Sequence, residues 1–98
     1  MTKAGKLIDM LSIAFGGCSQ VPDAVIGLAI RGRINNAGLS EQDGLTLARE
    51  CAHEVEIRWT DDRTGEITPG QDESSVLSGI LGAMRKEDVI IPYWDGAR

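Results

Sequence analysis

Histidine is nearly absent from this chain: His53 is the one example in 98 residues. That scarcity removes most of the metal centres and general-base arrangements that proteins build, because imidazole is the commonest metal ligand and the one side chain that ordinarily titrates near neutral pH. Cysteine is almost as rare. Cys18 and Cys51 stand 33 positions apart with no further cysteine, so neither a disulfide framework nor a four-ligand zinc site can be assembled, and Cys51-Ala-His53 supplies two ligands at most. A single Cys18–Cys51 bridge stays geometrically open. The expected state is two reduced thiols with no metal and no cofactor. No uninterrupted apolar run approaches the 18 or so residues of a membrane span. No glycine-rich nucleophile turn surrounds any serine, and Gly16-Gly17 lacks the spacing and the following lysine of a phosphate loop. On a helix Cys51 and His53 would point about 200° apart, which rules them out as a nucleophile and its base. An enzyme is therefore not expected.

What is present is ordinary for a folded chain: 42% hydrophobic and 26% charged residues, within the range of globular domains. The length fits one domain, residues 1–98, with little area to spare for a separate active-site layer. Lys3 and Lys6, then Leu7 to Phe15, then Gly16-Gly17-Cys18-Ser19 faintly imitate a lipoprotein signal. Asp9 inside the apolar stretch and the bulk of Phe15 oppose that reading, so a cytoplasmic location is expected. The net charge is −5, unevenly spread: Met1 to Leu39 carries four bases and two acids, and Ser40 to Arg98 six bases and thirteen acids. An acidic half repels phosphate backbones and suits a basic protein surface.

The pattern predicts a mainly α fold, a compact bundle of about four short helices with a small β-hairpin. Ala4, Leu7, Ile8, Leu11, Ala14 and Phe15 recur at helical spacing before the stop at Gly16-Gly17, leaving Lys6, Asp9 and Ser12 to water. Val21 to Ile34 is apolar on most sides and reads as the central helix, with Pro22 and Asp23 in its first turn and Leu28 in the core. Gly27 and Gly32 each cost about 1 kcal/mol in propensity, which predicts a neighbouring backbone close by. Asn35 to Leu39 reads as a tight connection in which an asparagine or Gly38 takes positive φ. Ser40-Glu41-Gln42-Asp43 then matches a capping box. Leu45, Ala48, Ala52, Val55 and Trp59 form one buried seam, with Asp43, Glu50 and Glu54 on the opposite side around an exposed Leu47.

From Glu54 the residues also alternate, Val55, Ile57 and Trp59 against Glu54, Glu56 and Arg58, which predicts a strand slightly ahead of a helix extension. Asp61 to Gly65 is turn chemistry, and Glu66-Ile67-Thr68 would return before Pro69-Gly70, so a hairpin within 54–69 is expected. A last helix is expected from about Ser75 to Lys86, capped by Asp72 or Ser74, with Gly79 and Ala83 permitting close packing and Arg85 and Lys86 at its negative end. Val89 to Trp94 is apolar and interrupted by Pro92, suiting a docked edge strand or a partner-binding arm.

Two functions fit. Helices on either side of Asn35 to Leu39 could form a helix-turn-helix, a DNA-binding regulator using Arg31 and Arg33. Its second helix, however, sets Arg49 against Glu41, Asp43, Glu50 and Glu54, the wrong sign for a groove. The favoured reading is a non-catalytic inhibitor or regulatory subunit whose acidic face occupies a basic surface on a nucleic-acid-handling protein. The expected contacts are Asp43, Leu47, Glu50, Glu54, Asp61, Asp62, Glu66, Tyr93 and Trp94. Phosphates stand roughly 7 Å apart along a strand, and carboxylates one to two helical turns apart can imitate that rhythm. Small phage-encoded antagonists of nucleic-acid machinery, anti-CRISPR proteins among them, are similar in this general character; the likeness is one of class, carried by no motif. No membrane contact and little direct nucleic-acid binding are expected, and a homodimer is compatible.

Overall fold

The computed structural model describes residues 2–17, 20–60 and 63–85. They form four helices: α1 Lys3–Phe15, α2 Asp23–Asn36, α3 Glu41–Trp59 and α4 Glu73–Met84. Local chemistry sets their ends. The Thr2 hydroxyl accepts from the Gly5 amide at the start of α1, and Gly16, at φ 82°, closes the helix in the left-handed region that glycine tolerates. Pro22 occupies the cap position of α2 rather than its first turn. Ser40 accepts from the Asp43 amide at 3.1 Å to start α3. Gly38 takes the positive φ between α2 and α3, at 76°. Asp72 caps α4 through the Ser75 amide and hydroxyl, and those two bonds, hydroxyl first, hold its carboxyl below the usual carboxylate range.

The core is continuous. Leu7 and Ile8 of α1, Ile26 and Ile30 of α2, Ala48, Cys51 and Ala52 of α3, and Val76 and Ile80 of α4 are fully enclosed. The organising helix is α3, not α2 as the sequence suggests: α3 packs against α1, α2 and α4, whereas α2 packs chiefly on α4 and α3. Leu28 and Ala29 are accordingly only half-buried, and Ala14 of α1 is exposed.

The pair α2 and α4 is the most extensive contact in the fold, and small residues make it so. A Cβ built on Gly27 would stand 2.7 Å from the Ala83 Cβ and would also strike the Ile80 carbonyl oxygen; one built on Gly79 would stand 2.8 Å from the Asp23 Cβ. Asp23 lies at Gly79 and Gly27 at Ala83, so the two helices run in the same sense. The close approach expected at Gly27 is present, and so is the role of Gly79 and Ala83. None of the described residues comes within 4 Å of a Cβ on Gly32, so the same expectation fails there.

The first strand expected from alternation is helical, since α3 continues unbroken to Trp59. Three interactions favour the helix. Glu54 and Arg58 pair one turn apart at 3.1 Å, the Thr60 hydroxyl donates to the Glu56 carbonyl, and the Glu56 carboxylate accepts from the Glu73 amide at the open end of α4. Ile57 is left 52% exposed as the consequence. Among the described residues no strand forms, and a single antiparallel bridge joins Thr60 and Ile67. Asp61, Asp62, Lys86 and the 89–94 segment lie outside the described residues. No helix among those described is long and apolar enough to cross a membrane.

Candidate functional site

α3 meets its neighbours along one stripe and leaves the opposite side open, with Asp43, Thr46, Arg49, Glu50 and His53 exposed there. Its buried residues Gly44, Leu47, Ala48, Cys51, Ala52 and Val55 centre between Gly44 and Val55, about 50° around the axis from the seam read in the sequence. Leu47 is therefore buried, at 5% exposure, and not the exposed leucine of an acidic ridge. Leu45 and Trp59, expected inside, are half-buried.

The rotation produces a furrow. Lys3, Leu39, Asp43, Thr46, Leu47 and Glu50 line one hollow of 220 Å³, and Thr2, Arg49, Glu50, His53, Glu54 and Glu73 line the next, of 310 Å³. Glu50 belongs to both. Positions 43, 46, 47, 50, 53 and 54 fall on one stripe of α3, about 16 Å long at 1.5 Å per residue. Its walls come from the beginnings of α1 and α4.

The carboxylates along the furrow differ. Asp43 and Glu50 are exposed, and neither forms an ion pair among the described residues. Glu54 is half-buried and bound to Arg58, which also holds Asp9 at 2.7 Å and reaches the Gly5 carbonyl at 3.5 Å. This corrects its expected role as a free contact: Glu54 helps fasten α1 to α3. Burial works against the Arg58 charge, but hydrogen bonds to Asp9 and Glu54 outweigh it and raise the guanidinium above its ordinary value. Arg58→Met is expected to lower stability by about 1–2 kcal/mol in urea titration. A double-mutant cycle with Asp9→Asn should show coupling, and strictly additive effects would contradict the fastening role.

Glu73, which the sequence reading includes among the acids continuing the acidic face, stands in the furrow with its carboxylate 3.7 Å from His53 Nδ1. Glu66 is exposed but lines a separate hollow with Arg58, Trp59 and Ile67, apart from Asp43 and Glu50. Glu41 is held by Arg31 at 2.9 Å. Asp61, Asp62, Tyr93 and Trp94 lie outside the described residues, as does Cys18. Cys51 is a free, buried thiol. Burial first, then the charges of Glu50 and Glu54 against the opposing Arg33, pushes its pKa up to about 12, so it is held as an unreactive thiol. Among the described residues no three histidine, cysteine, aspartate or glutamate side chains gather to hold a metal ion.

The partners of Glu73 and Glu56 were beyond the reach of spacing, because each acts across elements 17 or more positions distant: Glu56 at the Glu73 amide and Glu73 at His53. Glu73 was legible as an acid continuing the acidic face and as one in the first turn of a helix, where an acid is favoured whatever its function; its neighbours were not. The chain matches no family model, no curated protein and no solved structure.

Proposed function

We propose that this chain is a non-catalytic inhibitor or regulatory subunit, and that its α3 furrow contacts a basic surface on a nucleic-acid-handling protein. The observation that carries the proposal is two exposed carboxylates without an ion pair among the described residues, Asp43 and Glu50, on the rim of a hollow whose apolar side is Leu39 and Leu47. Seven residues separate them, two helical turns or about 10 Å, so a partner's lysine or arginine side chains can meet each separately. Glu73 extends the acidic line past Glu50 in the adjoining hollow. Leu47 contributes as the hollow's apolar floor. Lys3 and Arg49, on the same walls, limit the excess of negative charge and make steering by Asp43 and Glu50 local. Asp61, Asp62, Tyr93 and Trp94 enter the proposed surface from the sequence alone, and Glu66 as an exposed acid beside a separate hollow. Such a protein acts by occupation, in the manner of anti-CRISPR proteins and other phage-type antagonists, and works in the cytoplasm.

The experiment sets this against the helix-turn-helix regulator. In a low-salt gel-shift the chain should leave labelled duplex DNA unshifted. Immobilised on beads, it should retain a basic, nucleic-acid-binding protein, and Asp43→Lys with Glu50→Lys should release it. A shift of the duplex abolished by Arg31→Ala and Arg33→Ala would establish the regulator instead.

A further inference from the structure

The start of α2 holds a carboxylate that forms no ion pair among the described residues. Asp23 is the first residue of α2, following a Pro22 cap that has no side-chain hydrogen bond to give. Its side chain is turned onto α4 at Gly79, where a Cβ would fall 2.8 Å from Oδ2. The facing helix bears no charge between Glu73 and Arg85, offering only Ser74, Ser75, Ser78 and apolar or glycine residues. On α2 itself the nearest cations are Arg31, occupied by Glu41, and Arg33, more than two turns away. At the nearby end of α3, Glu54 and Arg58 are joined to each other, Arg58 also to Asp9, and Glu56 to the Glu73 amide. None of the ion pairs among the described residues includes Asp23.

We infer that the joint between α2 and α4 is acid-tightened: with Asp23 protonated the first turn of α2 closes on Gly79, and with Asp23 ionised the same contact is loosened. The reason is solvation. An ionised carboxylate pressed against an uncharged helix loses water without gaining a counter-charge, and a protonated one does not. The positive end of the α2 dipole opposes this in part. Burial prevails, raising the Asp23 pKa to about 6. The folded chain thus holds the proton more firmly than the unfolded chain does. The stability that Asp23 contributes is fully present below the ordinary aspartate value of 3.8 and is lost as pH rises through about 6.

The test compares wild type with Asp23→Asn, whose uncharged amide imitates the protonated acid, by denaturant unfolding between pH 4 and 8. Because Asp23 is half-exposed, the full shift is discounted for solvent screening, and the variant's folding equilibrium constant at pH 7 should exceed the wild type's by about tenfold. That ratio should shrink towards one at pH 4. A ratio independent of pH would overturn the inference. Carbon NMR titration of the wild-type Asp23 carboxyl gives a second reading: a midpoint near 6 supports the joint, and a midpoint near 3.8 overturns it. In Gly79→Ala, whose new methyl displaces the carboxyl, the midpoint should move down.

Discussion

Ile80→Ala should cost about 2–5 kcal/mol, the largest effect of any side-chain truncation considered in this fold. Ile80 is fully enclosed, and it lies on α4 where that helix meets both α2 and α3. Removing its outer carbons leaves a space that neither neighbour can fill, because the adjoining α2 backbone is already in contact at Gly27. The matching truncation Leu28→Ala should cost about 1 kcal/mol, since Leu28 is half-buried on the rim of a 650 Å³ groove rather than in the core. Urea titrations of the two variants check both values. A Leu28 cost equal to that of Ile80 would mean that α2 is rotated from the position described.

The second large effect is expected from the smallest change. Gly27→Ala gains about 1 kcal/mol of helix propensity but places a methyl against the Ile80 carbonyl and 2.7 Å from the Ala83 Cβ. A backbone carbonyl in a packed helix cannot swing aside as a side chain can. The net result should be a loss of about 2 kcal/mol or more, as overpacking costs typically exceed the propensity gain. Gly32→Ala, five residues on in the same helix, has none of the described residues within 4 Å of the added carbon and should gain about 0.5–1 kcal/mol. Opposite signs in thermal melts would locate the close approach of α2 and α4 at Gly27. Equal gains would remove it.

Gly27 and Gly32 also mark where the sequence was legible and where it was not. Both carry the same local signal, a glycine inside a helix, and only one has a neighbour. Caps were readable because their chemistry is local: Ser40 and Asp72 each bond an amide three residues on. The stop at Gly16 was readable for the same reason. The rotation of α3 was not, since a 3.6-residue period yields one apolar stripe and cannot say that α1, α2 and α4 all pack on the same helix. Leu47 changed from exposed contact to floor of a furrow on that account. The alternation from Val55 to Trp59 is compatible with either element, and the choice fell to distant partners, Arg58 with Asp9 and Glu56 with the start of α4. Asp43 and Glu50 were legible as members of one acidic face that also took in Glu54; the engagement of Glu54 with Arg58 and the position of Glu73 beside His53 depend on how the helices meet.

Calorimetry with the captured partner tests the role of Asp43 and Glu50 most directly. Asp43→Lys with Glu50→Lys should weaken binding at least tenfold while the thermal midpoint stays within a few degrees of wild type, since neither side chain forms an ion pair among the described residues. Unchanged affinity in a variant that folds normally would contradict that role.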